Sequence, residues 1–177
     1  MAKTKGQKPR GASPRVLSHV DRRGNVTMVD VGDKPVTHRE ATARGDITMS
    51  AAALRVVRRG AAAKGDPLQA ARIAGIMAAK QTSALIPLCH PLPLTQISLE
   101  LRPTRRGYRI ESRVRTSAQT GVEMEALVAV TVAALTVYDM VKAIDKTMVI
   151  GDVCLVEKRG GRSGVYRRAA GAKRRSA

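Results

Sequence analysis

The run Ala126 to Tyr138 constrains the fold most, because a helix built from it is apolar all the way round. Such a helix has no face to offer water, so other elements must enclose it, with its charges confined to its ends or to a cavity. The run is too short to cross a bilayer and carries acids on both flanks, so no membrane span is expected. Phe and Trp are absent and Tyr occurs three times, so the surrounding core must be aliphatic. A chain of 177 residues with 44% hydrophobic content suits one domain with a sizeable core and is too apolar for global disorder.

The flanking sequence supplies the enclosing elements. Thr120-Gly-Val-Glu123 reads as a capping box that opens the apolar helix, which should run to about Ile144. Upstream, Val26 to Val29 and Val36 to Ala43 alternate as strands around a turn at Gly32 to Pro35. Ser50 caps a helix over Ala51 to Arg59 that Gly60 ends. Asp66, Pro67 and Gln69 open a second helix to about Gln81, by N-cap, first-turn proline and capping box. That helix is rich in Ala and Gly, which lets a neighbouring backbone approach closely, so it should be packed rather than superficial. Thr95 to Pro103 and Tyr108 to Ser117 form a hairpin across Arg105-Arg106-Gly107, with Ile97, Leu99, Leu101, Tyr108, Ile110 and Val114 on one buried face. Met148 to Glu157 is a strand with a glycine bulge, after which Gly160 to Gly164 leaves the fold. The order ββ-α-α-ββ-α-β predicts an α+β domain, a ferredoxin-like antiparallel sheet packed against helices.

The formal charge of +18 suggests a basic nucleic-acid-binding protein until it is mapped along the chain. Residues 1–15 hold five Lys/Arg, residues 158–177 hold eight, and neither stretch has an acid. Removing those thirteen leaves 19 basic against 14 acidic residues, a net of +5. We expect disordered basic tails at 1–15 and 165–177, a domain over 16–164, and non-specific, salt-sensitive contact of the tails with polyanions. Stacking aromatics and a recognition motif are both missing. Cys89 and Cys154 stand far apart without a secretory signal, which predicts a reduced, cytoplasmic setting.

Chemistry-bearing residues gather in a few places. Leu85 to Leu94, LIPLCHPLPL, holds prolines at 87, 91 and 93 that forbid a helix and fix Cys89 and His90 in an extended segment. His90 can exchange a proton near neutral pH. One Cys-His pair without a second cluster does not make a zinc site, so no metal is expected. Glu123 is accounted for by helix capping, whereas Glu125 is not. Lys64 precedes the helix start at Asp66, where free N–H groups and the helix dipole favour a phosphate, although a capped helix with an exposed lysine reads equally well. Asp139 and Lys142 share one helix face, either as a surface ion pair or as an acid/base couple. Arg39, by spacing alone, belongs to a solvated strand face.

Taken together, MVDVGDKPVTHREATA, AAAKGDPLQAARIAGIMAAKQT, LIPLCHPLPLT, TGVEMEAL, YDMVKAIDK and LVEKRGGRSG are similar, in content and order, to the cyclic pyranopterin monophosphate synthase family, the MoaC family of molybdenum cofactor biosynthesis. The resemblance runs from about Leu17 to Gly164. Val141 stands where the family often has cysteine, and the tails have no counterpart. The resemblance implies a ferredoxin-like subunit, a homohexamer arranged as a trimer of dimers, and an active site shared across a dimer interface. It implies conversion of 3',8-cyclo-7,8-dihydroguanosine triphosphate to cyclic pyranopterin monophosphate with loss of pyrophosphate, a lyase reaction that needs no redox cofactor. Asp139 and Lys142 would be the catalytic pair and Lys64 a further active-site lysine. Leu88, Cys89, His90, Glu123, Met124 and Glu125 would contact substrate, with Arg39 and Lys80 lining the same pocket. Glu125 and Asp139 are fourteen residues apart, about 21 Å on one straight helix, so the pocket is expected to join segments of two chains.

Overall fold

The protein is described by a computed structural model covering Val20, residues 23–60 and residues 65–169. Nine elements follow in chain order: β1 (Thr37–Thr48), α1 (Ala51–Arg58), α2 (Pro67–Lys80), α3 (Thr82–Leu85), β2 (Leu94–Thr104), β3 (Gly107–Ala118), α4 (Glu123–Val141), β4 (Val149–Arg159) and β5 (Tyr166–Arg167). The strands make one antiparallel sheet in the order β2-β3-β1-β4-β5. α4 lies across β1, β3 and β4, and α2 packs against α4 and β2.

Alternation decides which sheet face is covered. Along β3, Tyr108, Ile110, Ser112, Val114, Thr116 and Ala118 are buried, while Arg109, Arg113 and Ser117 face out, as the two-residue period of a half-covered sheet requires. The two buried hydroxyls are satisfied: Ser112 Oγ donates to the Ala126 carbonyl at 2.6 Å, and Thr116 Oγ1 to that of Pro93 at 2.7 Å. α4 is enclosed along one side, with Ala126, Ala129, Val130, Ala133 and Val137 fully buried, while Leu135 is left more than half exposed. Its 19 residues are long and apolar enough to cross a membrane, but the sheet and α2 bury about half of it as a core helix. Gly75 of α2 permits this packing, because a Cβ there would lie 2.8 Å from the Ala129 carbonyl oxygen and 3.3 Å from Ala133 Cβ.

Four expectations need correction. Val26–Val29 is not a strand: Val26 makes only an isolated bridge to Val20, and Asp30 Oδ1 takes the Gly32 N–H at 2.8 Å in a local turn. Gln69 does not close a capping box; Asp66 accepts from the N–H groups of both Leu68 and Gln69, and the Gln69 side chain accepts from Arg72 Nη1. α4 starts at Glu123 behind a buried Val122, with no side-chain cap, and ends at Val141, so Thr120 and Glu123 form no capping box and the helix stops short of Ile144. The chain does not leave the fold at Gly164, since Tyr166–Arg167 pairs with Lys158 and Glu157 of β4. The expected bulge in β4 is present opposite Arg44 and Asp46, but the residue that adopts positive φ is Asp152, at 53°, rather than Gly151.

Candidate active site

The extended segment after α3 and the start of α4 meet at one cleft of about 270 Å³. The segment supplies Leu88, Cys89, His90 and Leu92, and the approach to α4 supplies Thr120, Gly121, Glu123, Met124 and Glu125. Val29, Val31 and Lys34 close a third side. The irregular path of residues 27–36 therefore has a use: a strand there would have paired away the wall of the cleft. Lys34 escaped notice in the sequence because a Gly-Asp-Lys-Pro stretch reads as a turn, and the turn is real, with Lys34 N–H donating to the Val31 carbonyl at 3.0 Å.

Electrostatics separate the groups of the cleft. Glu125 is 4% exposed, and burial pushes its carboxyl up to about 7. A hydrogen bond from its own backbone N–H opposes the rise, and the neighbouring Glu123 adds to it. A carboxyl poised there gains or loses a proton at physiological pH. Burial also raises the Cys89 thiol, with Glu125 contributing, so Cys89 faces the cleft as a neutral thiol rather than a nucleophilic thiolate. Glu123, freed from capping, lies 4.0 Å from Lys158 Nζ across the cleft edge.

The other expected site residues lie elsewhere in the subunit. Asp139 and Lys142 stand at the opposite end of α4, paired at 2.6 Å with their side chains about half exposed. The hydrogen bond that Lys142 Nζ donates to the Asp139 carboxylate, with the charge of that carboxylate, holds the ammonium above the usual lysine range. Beside them Tyr138 donates its hydroxyl to the Lys146 carbonyl at 3.0 Å. Lys80 is exposed at the end of α2. Arg39 is half-buried on β1 rather than on a solvated face, and its Nη2 donates to the Gln119 carbonyl at 3.0 Å, one residue before Thr120 of the cleft. Lys64 falls outside the described residues. One subunit therefore gathers Leu88, Cys89, His90, Glu123, Met124 and Glu125, but does not bring Asp139, Lys142 or Lys80 to them. Among the described residues no cluster of His, Cys, Asp and Glu has the arrangement of a metal site.

A sequence feature missed altogether is Asp145. It is 6% exposed and accepts from Ser50 N–H at 2.7 Å, Thr147 N–H at 2.8 Å and Thr147 Oγ1 at 2.7 Å. It thereby ties the turn after Asp139 and Lys142 to the start of α1.

Comparison with known proteins matches residues 28–161 to the MoaC family. The chain is 58% identical over 154 residues to a cyclic pyranopterin monophosphate synthase of Thermomicrobium roseum, covering 86% of this chain and 93% of that protein. It is 57% identical over 154 residues to the protein of the same name from Pelotomaculum thermopropionicum, covering 86% and 91%. A third relative, the cyclic pyranopterin monophosphate synthase of Dinoroseobacter shibae, is 58% identical over 152 residues, covering 85% and 96%.

Proposed function

The chain belongs to the MoaC family, and from that premise we propose that its cleft, completed by a second copy of the chain, converts 3',8-cyclo-7,8-dihydroguanosine triphosphate to cyclic pyranopterin monophosphate and pyrophosphate. It is an enzyme, a cyclic pyranopterin monophosphate synthase and so a lyase of molybdenum cofactor biosynthesis. The observation that carries the two-copy reading is the separation of the chemical groups along α4. Glu125 lies in the cleft at one end, Asp139 and Lys142 lie at the other, and fourteen residues of helix span about 21 Å. An ion pair this exposed is screened by solvent and adds little to stability, so the pairing of Asp139 with Lys142 is not there chiefly to hold the fold.

In this mechanism Leu88, Cys89 and Met124 hold the flat bicyclic part of the substrate. Glu125 and His90 exchange protons with it as the ring opens and the pyran closes, and Glu123 orients its polar edge. Lys142, kept an ammonium by Asp139, acts as acid, and Asp139 takes a proton in turn. Arg39, Lys64, Lys80 and Lys34 offset the charge of the triphosphate and of departing pyrophosphate. These residues need no metal and no redox cofactor for the proton transfers.

Several features support the assembly. Ile73 and Met77 on α2, Leu85 on α3 and Leu135 on α4 are each more than half exposed, an apolar surface that a further copy would cover. We take the assembly to be a homohexamer, a trimer of dimers. The topology fits a ferredoxin-like subunit, because β1-α2-β2-β3-α4-β4 with the order β2-β3-β1-β4 is a split β-α-β arrangement. Both cysteines are free thiols, which suits a cytoplasmic enzyme. The rival reading as a nucleic-acid-binding protein finds no support in the cleft, whose two carboxyls face one lysine.

The test is turnover of the cyclised nucleotide, followed by pyrophosphate release. Asp139→Asn and Glu125→Gln should each lose most activity alone. Mixed after dissociation and reassembly, the two variants should regain activity, because each mixed dimer contains one site with both native groups. Failure of the mixture to recover, with both parents folded and assembled, would sink the two-copy site.

A further inference from the structure

The loop Gly160–Gly164 between β4 and β5 holds three glycines in the left-handed region: Gly160 at φ 98°, Gly161 at 71° and Gly164 at 61°. The first two do more than turn the chain. A Cβ at Gly160 would overlap the His38 carbonyl oxygen; one at Gly161 would overlap Nη1 of Arg39 and lie 2.6 Å from its Cζ. The glycine pair therefore closes directly over the Arg39 guanidinium. On the other side Nη2 is held by the Gln119 carbonyl at 3.0 Å. Nε is buried and has no hydrogen-bond partner among the described residues, which is uncommon for a buried donor.

The far half of the loop is tied to the cleft. Lys158 donates to Ser163 Oγ and stands 4.0 Å from Glu123 Oε1. Ala41 pairs with Lys158 across β1 and β4, and Arg39 is two residues from Ala41, so both cations share the sheet face on which α4 begins. A guanidinium held in one orientation binds phosphate oxygens without first being ordered.

We propose that Gly161 is a positioning residue for the synthase reaction: by leaving room for the Arg39 guanidinium and confining it against Gln119, it sets affinity for the pyrophosphate end of the substrate without touching it. This rests on the assignment of Arg39 to the phosphates. Gly161 is distinct from a mere turn glycine because the atom its Cβ would strike is the end of a long side chain, which can move aside while the fold stays intact.

Binding of inorganic pyrophosphate, measured by calorimetry on the assembled enzyme, together with KM and kcat for the cyclised nucleotide, tests this with four variants beside the parent. Losing one charge-assisted hydrogen bond weakens binding about tenfold or more, so Arg39→Ala should do so. Gly161→Ala should weaken pyrophosphate and raise KM by a similar factor, with kcat changed little. Arg39→Ala/Gly161→Ala should bind no more weakly than Arg39→Ala alone, because Gly161 acts through Arg39. Gly164→Ala imposes the same backbone strain with nothing within 4 Å of its Cβ, and should bind like the parent. Multiplying effects in the double variant, a Gly161→Ala protein that binds normally, or equal losses in Gly161→Ala and Gly164→Ala would each overturn the positioning role. A normal affinity in Arg39→Ala would instead remove the phosphate assignment on which it rests.

Discussion

Two buried carboxyls show how position, not residue type, sets acidity. Glu125 gains its raised value from burial, so between its ordinary value near 4.5 and about 7 the folded state binds more protons than the unfolded one. Stability must then fall as pH rises through that window. Glu125→Gln removes the cost, and should be more stable than the parent at pH 8 by about 1–2 kcal/mol after allowing for screening at the open cleft. The difference should vanish below pH 4.5 in paired denaturant titrations. Asp145 behaves oppositely: the Ser50 N–H, then the hydroxyl and N–H of Thr147, hold it down at about 2. Its contribution is complete above its ordinary value of 3.8 and is lost as pH falls through about 2. Asp145→Asn should therefore flatten the acid unfolding curve followed by circular dichroism between those limits. Sequence spacing offered no sign of Asp145, because its donors come from a serine 95 residues away and from a local turn.

At the scale of elements, the contact between α2 and α4 depends on small residues on both sides. Gly75→Ala adds one methyl group against a backbone carbonyl and the Leu99 side chain, neither of which is free to withdraw far. Overpacking of this kind costs about 1–3 kcal/mol, more than the helix-propensity gain of about 1 kcal/mol. Thermal melts should show a lower midpoint for the variant. The Ala/Gly content of α2 made this packing readable in advance, as did the all-apolar run of α4 and the alternation of β2 and β3. The start of α4 was not readable. Thr120-Gly-Val-Glu123 has the letters of a capping box, but burial of Val122 moves the first turn on and leaves Thr120, Gly121 and Glu123 to line the cleft. A local signal lost to a tertiary one at the rim of the cleft.

For the whole molecule, the parts of the fold that eluded the sequence are those made by distant pairing. Two-residue β5 carries no periodicity, and its place is set by the edge of β4. Gly32 to Pro35 was legible as a turn, but Val26 to Val29 was read as a strand and neither stretch as a cleft wall, since that wall exists only where LIPLCHPLPL and α4 converge. Residue type singled out Cys89, His90 and Glu125, and the resemblance added Leu88, Glu123 and Met124; these six meet at one cleft, while Asp139 and Lys142 stand at the far end of α4. The basic segments at either end lie mostly beyond the described residues. Deleting residues 1–15 and 170–177 should abolish salt-sensitive RNA binding in a filter assay while leaving synthase turnover near the parent value.

The hydroxyl of Tyr138, bonded to the Lys146 carbonyl beside Asp139, gives the protein a built-in optical reporter. The sequence has no tryptophan and only three tyrosines; Tyr108 is sealed in the core and Tyr166 sits on the outer edge of the sheet. Intrinsic ultraviolet emission thus arises from three addresses, one of which adjoins the remote end of α4. Replacing Tyr108 and Tyr166 by leucine would leave a single emitter there, whose emission would report whether anything docks at that end of α4 without any added dye.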